Sequence, residues 1–455
     1  MLFAELRPDD ARPALGDGAR TLSGAALAAA VAAAERWLQA QLPAGAPVGV
    51  LLPNRVEHVV LLLALARAGH PALLFPGTAT AAELRAHAAA AGLALLVGLA
   101  DDQRLPQRDP AWCEGLAACR LQVAATAPAR LAPPVLFAQF SSGQESPPKL
   151  VARTRAAVAA EIAGVVRALG VDAGDRVLVS TRISHSYALV GGALAALSCG
   201  ARLILASGPE PAEVLELDRR HAPTLLLAVP PLLAALLRAE LHGRFASVRA
   251  LLSAGAPLAA GVAADFEART GKRVRQDYGA TECGTIAIAD PDEAALARCV
   301  GRPLPHLRVS VRGTGDAPLP AGEVGEIVVE DADRCWRSGD LGRLDAAGRL
   351  HLHGRRSGWV RVGGGELDLA DAEARLAALP GLRDVALAAP AGGDGGLRVF
   401  AVADDAAPAD LLDACRRVLG PALPIAALQC VPAIPRTAAG KILRRALPAE
   451  IQDHG

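Results

Sequence analysis

Residues 48–91, VGVLLPNRVEHVVLLLALARAGHPALLFPGTATAAELRAHAAAA, decide the fold class of this chain. Short apolar runs of strand length alternate in it with longer helical patterns, and Pro, Asn and Gly separate them. The strand-like runs are Val48–Leu52 and Ala72–Phe75, and the helical patterns are Val56–Ala68 and Ala81–Ala91. Because parallel strands are usually joined by a crossover helix, this order predicts a mainly parallel sheet covered by helices on both faces.

The same alternation extends outward from this stretch. A helix is predicted before it at Ala25–Gln41, and an apolar strand follows it at Pro134–Phe140. Further strands and helices are predicted at Arg176–Ser180, Tyr187–Ser198, Arg202–Ala206, Pro211–Arg219, Thr224–Ala228 and Pro230–Ala239. Together these elements predict an α/β fold with a large core.

The pattern changes near residue 300 and again near Gly354. The first of these segments is β-rich, because its short strands are separated by turns rich in Gly and Asp. Its predicted strands are Val309–Arg312, Gly325–Glu330 and Arg349–Leu352. The second segment has the length and pattern of a small α+β domain. Its predicted elements are helices at Leu369–Ala378 and Pro408–Leu419 and strands at Val385–Ala388 and Arg398–Val402.

Composition excludes several classes of protein. The chain has 455 residues, of which 52% are hydrophobic, so it can build a large core and is not intrinsically disordered. Lys and Arg number 47, as do Asp and Glu, so the net charge is zero and no global field attracts nucleic acid. Aromatic residues are only 3%, which argues against platforms for base stacking. We therefore expect no nucleic-acid partner.

Cysteine usage and hydropathy predict a cytoplasmic protein. The eight cysteines are scattered without CxxC or zinc-ligand spacing, which indicates free thiols rather than a disulfide framework or a metal site. The N-terminus lacks the basic and apolar regions of a secretory signal. Since no apolar stretch reaches the roughly 18 residues that a spanning helix needs, we expect no membrane span.

Two motifs offer groups that can contact a nucleotide and its phosphates. The first is the small-residue loop Ser141–Lys149, whose backbone N–H groups and hydroxyls can surround a phosphate. The second is Asp277–Glu282. There Tyr278 can stack on a purine, Thr281 can donate to a phosphate and Glu282 can bind Mg²⁺. Alone, the first is also typical of a surface turn, and the second of a strand end with a solvated glutamate.

Two later motifs offer partners for a ribose and for developing negative charge. In Arg337–Gly342, Asp340 can accept both hydroxyls of a ribose, and the later Arg355 can reinforce it. In Pro435–Lys441, Lys441 can bring a cation to a developing negative charge. Alone, these residues are equally a β-turn aspartate with a surface arginine and an exposed lysine near the end of the chain.

In this order, the four motifs resemble those of the adenylate-forming superfamily of acyl- and aryl-CoA synthetases, nonribosomal-peptide adenylation domains and luciferases. The resemblance covers nearly the whole chain, from about Leu22 to Leu447. Two intermediate segments fit as well. Ser253–Pro257 resembles the segment that lies along the adenine, and Ser184–Tyr187 resembles the His-containing segment beside the acyl pocket.

The resemblance implies a role for single residues of these segments. It implies that Glu282 binds Mg²⁺ and that Lys441, Thr281 and His185 act in catalysis. The implied acyl-pocket residues are His185, Tyr187 and Gly191. The implied ATP-binding residues are Ser141, Ser142, Gly143, Lys149, Gly255, Ala256, Asp277, Tyr278, Gly279, Thr281, Asp340, Arg355 and Lys441.

The resemblance also implies the activity of an ATP-dependent acid–thiol ligase. A carboxylic acid and ATP form an acyl-adenylate and pyrophosphate, with Lys441 between the carboxylate and the α-phosphate. A thiol then takes the acyl group and AMP is released. The implied acceptor is coenzyme A or the phosphopantetheine arm of a separate acyl carrier protein.

In the family, a small C-terminal domain rotates between the two half-reactions. The resemblance implies an N-terminal AMP-binding domain over residues 1–354, a hinge over 355–357 and a mobile C-terminal lid domain over 358–455. Ser357 occupies the hinge position, where the family usually has Asp or Lys. Gly363 and Gly364 match the loop that lines the thiol tunnel, where the lack of side chains lets a pantetheine arm pass.

The phosphate loop departs from the family pattern at Gln144, Glu145 and Ser146. A carboxylate about 5 Å from a phosphate costs on the order of 3 kcal/mol at an effective dielectric constant of roughly 20. Our hypothesis is an altered but working site, because the other motif residues are in place. One alternative is a catalytically weak protein that binds a nucleotide or an acyl-adenylate. Another is an adenylating enzyme that transfers the acyl group to oxygen or nitrogen, or oxidises its substrate.

The predicted pocket favours an aryl acid or a medium acyl acid. In the resembling enzymes for aromatic acids, a histidine such as His185 often lies beside the ring or the carboxylate, and the glycines at 191 and 192 can leave room for a ring. No acidic residue occurs in Ser180–Leu189, which disfavours amino-acid substrates. The sequence leaves open which acid is used, which acceptor is used and how the chain oligomerises.

Overall fold

The computed structural model divides the chain into two compact units. The first unit comprises Met1–Ser141, Pro148–Ala294 and Pro303–Leu307, and the second comprises the rest of the chain. The β-rich segment groups with the C-terminal residues in the second unit, so the boundary expected at 355–357 lies within that unit and stays a prediction. The structure describes residues 10–105, 108–121, 131, 134–141, 149–295, 298–313, 316–332, 334–362, 365–377, 379–389, 396–403, 408–420, 423–436 and 442–448.

The first unit alternates strands and helices along most of its length. Its strands are β1 (Pro13–Asp17), β2 (Thr21–Ser23), β3 (Val48–Leu51), β4 (Ala72–Leu74), β5 (Leu95–Leu99), β6 (Asp109–Pro110), β7 (Leu116–Arg120), β8 (Val135–Phe140), β9 (Leu150–Thr154), β10 (Arg176–Val179), β11 (Arg202–Leu205), β12 (Leu225–Ala228), β13 (Ala250–Ser253), β14 (Val274–Ala280) and β15 (Gly284–Ile288). Its helices are α1 (Gly24–Gln41), α2 (Val56–Ala68), α3 (Ala81–Ala91), α4 (Arg155–Leu169), α5 (Ala195–Ser198), α6 (Pro211–His221), α7 (Pro230–Leu236) and α8 (Ala260–Thr270), and a π-helical segment (Tyr187–Leu194) leads into α5.

Two sheets lie in the first unit. The first sheet has seven strands in the order β6-β7-β5-β3-β4-β8-β9, and β5, β3, β4 and β8 are parallel. In the second sheet the strands of this unit follow the order β15-β14-β13-β12-β10-β11-β1-β2. All of these except β15 and β2, at the two ends of the series, are parallel. The α/β fold class and the mainly parallel sheets are confirmed.

The core of the first unit is layered, because successive side chains of a strand point to opposite faces of its sheet. In β10, Val177 and Val179 pack into a central layer with α1, α2 and α4, whereas Leu178 packs on the other face with α6, α7 and α8. In β4, Leu73 packs into a third layer with α3. Helix α2 is buried over Val56–Ala66, which explains why its sequence is apolar on all sides.

Local sequence signals set several helix ends in the first unit. Thr80 and Glu83 form a reciprocal capping box at the start of α3, and the Thr154 hydroxyl caps α4. Gly92 and Gly170 end these two helices in the left-handed conformation, with φ of 63° and 58°. These signals are short-range, so the bounds of α3 could be predicted from the sequence alone.

The segment Tyr187–Ser198, predicted as one helix, differs from a regular α-helix. Most of it is the π-helical segment, and only its last turn, α5, is α-helical. Gly191 and Gly192 weaken the preference for a regular α-helix here, because glycine is a poor helix former and lacks a Cβ atom. A Cβ at Gly192 would lie 2.7 Å from Val179 Cγ2 and 3.0 Å from Leu227 Cδ2, so glycine lets the segment pack directly on β10 and β12.

The second unit contains an antiparallel sheet and a small α+β part. Its strands are β16 (Cys299–Pro303), β17 (Arg308–Arg312), β18 (Gly325–Glu330), β19 (Cys335–Leu344), β20 (Leu350–Arg355), β21 (Trp359–Val362), β22 (Gly365–Asp368), β23 (Leu382–Ala388), β24 (Leu397–Ala403) and β25 (Ile425–Cys430), and its helices are α9 (Leu369–Leu376) and α10 (Pro408–Leu419). The order β17-β18-β19-β20-β16 forms the antiparallel sheet, and α9 and α10 pack on β23-β24-β25. Over the described ranges of both units, no helix is both long enough and apolar enough to span a membrane.

Candidate active site

The carboxyl ends of parallel strands in the second sheet carry several predicted site residues. His185 follows β10, Gly255 and Ala256 follow β13, and Tyr278 lies near the end of β14. These strands and β12 are parallel neighbours, so their carboxyl ends lie along one edge of the sheet. In open α/β sheets, ligands bind at this edge. Gly255 has a φ of +87°, a left-handed conformation that favours glycine where the chain leaves β13.

The predicted phosphate loop is closed by a β-hairpin. Strands β8 and β9 pair antiparallel, with Phe140 opposite Leu150. The Ser141 N–H donates to the Lys149 carbonyl oxygen at 2.9 Å, and the Lys149 N–H donates to Ser141 Oγ at 2.9 Å. The two ends of the loop are therefore held together. The predicted phosphate contacts Ser142 and Gly143, and the unusual residues Gln144, Glu145 and Ser146, lie outside the described residues.

The motif Asp277–Glu282 runs along β14 into a β-hairpin turn. Strands β14 and β15 pair antiparallel and are joined by a three-residue turn, on which Thr281 and Glu282 are partly exposed. The two strands approach closely, because a Cβ at Gly279 would lie 2.6 Å from the Gly284 carbonyl oxygen. Glycine is therefore required at this position, and Thr281 and Glu282 are presented side by side.

Asp277 has its carboxyl group in the interior of the unit. It is 8% exposed, and its Oδ2 accepts a hydrogen bond from the Thr285 hydroxyl at 3.5 Å. Burial raises the pKa of Asp277 well above its usual range, and the negative charge of Glu161 raises it further, while the Thr285 bond opposes the shift. The expected contact of Asp277 with ATP stays a prediction.

Two of the predicted acyl-pocket residues face one another. A Cβ at Gly191 would lie 3.6 Å from Thr285 Oγ1 and 3.9 Å from Tyr187 Cδ2. Burial, and secondarily the charge of Asp277, raise the pKa of Tyr187 well above its usual range. The segment Ser180–Leu189 has no acidic residue, yet the fold brings the Asp277 carboxyl from β14 into this neighbourhood. The lack of an acidic residue in Ser180–Leu189 therefore does not show that the pocket lacks a carboxyl group.

Asn54 anchors the segment that carries His185. Its side-chain NH₂ donates to the carbonyl oxygens of Thr181 and Ala206, at 2.8 and 2.9 Å. Its side-chain oxygen accepts the Ile183 N–H at 2.9 Å. In the sequence, Asn54 is predicted only to separate a strand from a helix, and its anchoring role is not evident because all its partners are distant in sequence.

In the second unit, the two predicted ribose-binding residues stand opposite each other on β19 and β20. Arg355 Nε lies 2.8 Å from Asp340 Oδ1, and the side chains are 36% and 15% exposed. The Asp340 N–H donates to Ser338 Oγ at 2.9 Å. Gly354 has a φ of +97°, and a Cβ there would lie 2.6 Å from Asp368 Oδ2. Glycine is therefore required immediately before Arg355.

One of the four residues expected at the hinge and in the mobile domain, Ser357, lies within the described part of the chain. Ser357 lies in the 3₁₀ turn Arg356–Gly358, directly after β20. The predicted residues Gly363, Gly364 and Lys441 lie outside the described residues. On either side of Lys441 in the sequence, Arg436 and Ile442 form an antiparallel bridge, and Arg436 Nη2 lies 2.6 Å from Asp384 Oδ1.

The donor groups for a metal ion are sparse. Over the ranges that the structure describes, no group of three or more His, Cys, Asp and Glu side chains could hold a metal ion. Mg²⁺ does not need such a group, because it is usually bound by one or two carboxylates together with substrate phosphates and water. The carboxylate of Glu282, partly exposed beside Thr281, fits that donor set.

A family model described as "AMP-binding enzyme" matches residues 3–333. The chain belongs to this family. A salicylyl-CoA synthase / salicylate adenylyltransferase from a Streptomyces species is 30% identical over 81% of this chain and 76% of its own length. The 3,4-dihydroxybenzoate–[aryl-carrier protein] ligase of Bacillus anthracis is 29% identical over 54% of this chain and 57% of its own length. ATP-bound MatB from Rhodopseudomonas palustris has the same fold, with a TM-score of 0.83 at 22% identity over 98% of this chain and 97% of that one.

These findings confirm the predicted reaction class. The AMP-binding enzyme is an AMP-forming ligase that activates a carboxylic acid as an acyl-adenylate, with ATP as a substrate and a thiol of coenzyme A or a carrier protein as acceptor. They support the ligase interpretation and not the alternative of a catalytically weak binding protein. The fold class and the adenylate-forming resemblance are confirmed as well.

Sequence reasoning missed a buried ion pair next to the β14–β15 hairpin. Arg153 Nη2 lies 2.8 Å from Glu161 Oε2, and the two side chains are 1% and 0% exposed. A signal was present in the sequence, because Glu161 falls on the apolar face of α4 together with Val158 and Ile162. A charge on a buried helix face indicates a buried partner.

Proposed function

We propose that this AMP-binding enzyme joins an aryl acid, or less favourably a medium acyl acid, to a thiol. The observation that carries the proposal is the hairpin that presents Tyr278, Thr281 and Glu282 at the carboxyl edge of the second sheet, in a chain of this family. An aryl acid is supported by two relatives, one named for salicylate and the other for 3,4-dihydroxybenzoate.

In the proposed nucleotide site, each residue has a distinct task. Tyr278 stacks on the adenine beside Gly255, and Thr281 donates to the α-phosphate. In the second unit, Asp340 accepts hydrogen bonds from the ribose hydroxyls while Arg355, at 2.8 Å, keeps the carboxylate oriented. Glu282 binds Mg²⁺, which when present neutralises part of the phosphate charge.

Lysine usage supports a catalytic task for Lys441. Only three of the 47 Lys and Arg residues are lysines, namely Lys149, Lys272 and Lys441, and two of these lie in the motifs. A chain that mostly uses arginine thus has an ammonium group in both the phosphate-loop motif and the C-terminal motif. An ammonium is a compact point charge, unlike the planar guanidinium, and can lie between a carboxylate and the α-phosphate. Lys441 lowers the repulsion between these anions in the transition state.

The acid that we propose carries a hydrogen-bonding substituent. The Thr285 hydroxyl and the Tyr187 ring lie next to Gly191, where an added Cβ would meet only ordinary contacts, and the Thr285 hydroxyl donates to the carboxyl group of Asp277. Burial raises the pKa of Asp277 and so favours the protonated form of its carboxyl, which can donate a hydrogen bond to a phenolic oxygen. An acid without polar substituents makes no hydrogen bond to these groups, which disfavours its binding relative to a hydroxybenzoate.

The thiol acceptor in this proposal is coenzyme A or the phosphopantetheine arm of a separate carrier protein. Gly363 and Gly364 line the passage for this arm, since glycine leaves room next to the backbone. Because the reaction consumes ATP, we infer a cytoplasmic site of action.

ATP–pyrophosphate exchange with a panel of acids tests the proposed function. Hydroxybenzoates should support exchange, with benzoate, medium-chain fatty acids and amino acids giving lower rates. Product analysis with coenzyme A and with a holo aryl carrier protein then identifies the acceptor. The absence of ATP–pyrophosphate exchange with every acid would refute the proposal.

Lys441→Ala provides the matched test of mechanism. We expect a loss of exchange of about 10²–10³-fold, the size seen when one transition-state charge contact is removed. Lys272→Ala is the control, because the Lys272 ammonium donates to the Ala246 carbonyl oxygen at the surface, outside the motifs, and its loss should leave exchange unchanged. Equal activity of the two variants would contradict the role of Lys441.

A further inference from the structure

A buried ion pair, Arg153–Glu161, contacts the backbone of the β14–β15 hairpin on both sides of Gly284. Arg153 Nη2 donates to Glu161 Oε2 at 2.8 Å and to the Cys283 carbonyl oxygen at 3.3 Å. Glu161 Oε1 accepts the Thr285 N–H at 2.9 Å. The pair thus satisfies the carbonyl before Gly284 and the amide after it.

Gly284 shows how closely the carboxylate and the hairpin fit. It has a φ of +78°, and a Cβ there would lie 2.0 Å from Glu161 Oε2 and 2.2 Å from Glu161 Cδ. The carboxylate therefore occupies the space that a side chain would need. This contact fixes the backbone directly after the turn that bears Thr281 and Glu282.

The same pair also reaches the hairpin that closes the predicted phosphate loop. Arg153 lies on β9, the strand that begins directly after Lys149, and Glu161 lies on α4, which follows β9. The Arg153–Glu161 pair therefore links the β8–β9 hairpin to the β14–β15 hairpin. These hairpins carry Lys149 on one side and Thr281 and Glu282 on the other.

Stability alone does not account for this pair. Both side chains have lost their hydration, since they are 1% and 0% exposed. Within the described part of the chain, Nε and Nη1 of Arg153 are buried without a hydrogen-bond partner. Burial raises the pKa of Glu161, although the charge of Arg153 opposes the shift. Replacing such a pair by apolar residues of similar volume is often neutral or stabilising, so what the ion pair adds is directed contact with the turn.

We propose that Arg153 and Glu161 are positioning residues for Mg·ATP, because they hold the turn of Thr281 and Glu282 in place relative to the hairpin that carries Lys149. The inference rests on the proposed adenylation, since it assigns the turn and the loop to one nucleotide. It assigns no contact of the pair itself with the nucleotide.

The test replaces the pair by apolar residues in the double variant Arg153→Met/Glu161→Leu. The matched control is Asp175→Asn/Arg249→Gln, which removes another ion pair of the first unit, with Nη2 and Oδ2 2.6 Å apart. Asp175 and Arg249 directly precede β10 and β13, so they lie at the amino ends of these strands. Three quantities are measured: the melting temperature, the amide hydrogen exchange of residues 281–288, and the Kd of Mg·ATP by calorimetry.

We expect the apolar double variant to melt a few degrees below the wild type, because the buried Cys283 carbonyl and Thr285 N–H lose their hydrogen bonds to the pair. Its amides at residues 281–288 should exchange about tenfold faster, and its Kd for Mg·ATP should rise about tenfold, the size expected for losing hydrogen bonds to charged groups. The control should change neither the amide hydrogen exchange of residues 281–288 nor the Kd of Mg·ATP. Arg153→Lys keeps the charge but loses the forked geometry, so it should shift the amide exchange and the Kd in the same direction by a smaller factor. This single variant provides the test if the double variant fails to fold.

The outcomes separate the two levels of the proposal. A wild type that binds no Mg·ATP refutes the proposed function. A wild type that binds it, with a variant that binds equally well, refutes only the positioning role. Unchanged exchange at residues 281–288 in both Arg153 variants also overturns the inference, whatever the enzymatic activity.

Discussion

Asp277 is a buried carboxyl group whose protonation is coupled to folding. Burial and the charge of Glu161 raise its pKa well above 3.8, the value of an ordinary aspartate. Between pH 3.8 and the pKa of the folded state, the unfolded chain releases the proton of Asp277 while the folded chain keeps it, so folding requires proton uptake. The contribution of Asp277 to the free energy of unfolding is therefore fully present below about pH 4. It is then lost at up to about 1.4 kcal/mol per pH unit until the folded-state pKa is passed.

Asp277→Asn should remove this loss. In denaturant unfolding from about pH 4 to about pH 8, the stability of the variant relative to the wild type should increase as the pH rises. Val324→Ala, at an exposed position, removes no titratable group; it is the control and should keep a constant difference from the wild type. A difference between Asp277→Asn and the wild type that does not vary with pH contradicts the assignment of a buried, protonated carboxyl.

Two adjacent glycines should respond differently to the same substitution. Gly192→Ala forces a methyl group to within 2.7 Å of Val179, so we expect a loss of about 1–3 kcal/mol in the free energy of unfolding. Gly191→Ala meets Thr285 and Tyr187 at 3.6 and 3.9 Å, so stability should be nearly unchanged. The methyl group at 191 should instead raise the KM for larger aryl acids and leave the KM for ATP unchanged. Equal effects of both substitutions on acid selectivity would argue against a pocket at Gly191.

At the scale of elements, the β8–β9 hairpin should determine how well the phosphate loop is organised. Ser141→Ala removes the acceptor of the Lys149 N–H, a hydrogen bond of about 1 kcal/mol. If the loop binds phosphates, the KM for Mg·ATP should rise about fivefold, with little effect on stability because Lys149 is exposed. Ser198→Ala is the control, since it removes a hydroxyl that donates to the Ala195 carbonyl oxygen within α5. A Ser141→Ala enzyme with the KM of the wild type rules out this use of the hairpin.

Elements were predictable where their causes are local. The bounds of α3 follow from the Thr80 cap and the glycine at 92, and those of α2 from a continuous apolar pattern. The π-helical segment was not predictable, because its geometry depends on how Gly192 packs against Val179 and Leu227, which come from two other strands. Short-range signals thus determine where an element starts and ends, and tertiary packing decides the backbone geometry between these ends.

At the scale of the whole molecule, the candidate site likewise contains residues that sequence motifs identify and residues that only the fold brings together. The motifs identified Tyr278, Thr281 and Glu282, which lie on one hairpin, and Asp340 and Arg355, which are cross-strand neighbours, because motif residues are close in sequence or paired by adjacent strands. The Arg153–Glu161 pair could not be placed from the sequence, because its partners on the β14–β15 hairpin are more than a hundred residues away. Residues that support a site from behind carry no motif, so only the fold reveals them.

The expected rotation of the C-terminal domain leads to a prediction for Ser357. Proline at this position fixes φ near −65°, removes the N–H group and disfavours the helical region for Arg356, so Ser357→Pro should restrict rotation about the proposed hinge. Each half-reaction needs its own arrangement of the domain. One of the two rates should therefore fall at least about tenfold more than the other, as seen by comparing pyrophosphate exchange with thioester formation.

Ser357→Ala is the control for this prediction, because it removes the hydroxyl but leaves the backbone free to rotate, and it should retain the wild-type ratio of the two rates. The ratio separates a hinge from a structural role, since a merely destabilised protein loses both activities by the same factor. If the proline variant lowers both rates equally, Ser357 is not the pivot. In that case the adjacent residues of the 3₁₀ turn, Arg356 and Gly358, are the next positions to test, because they connect β20 to β21.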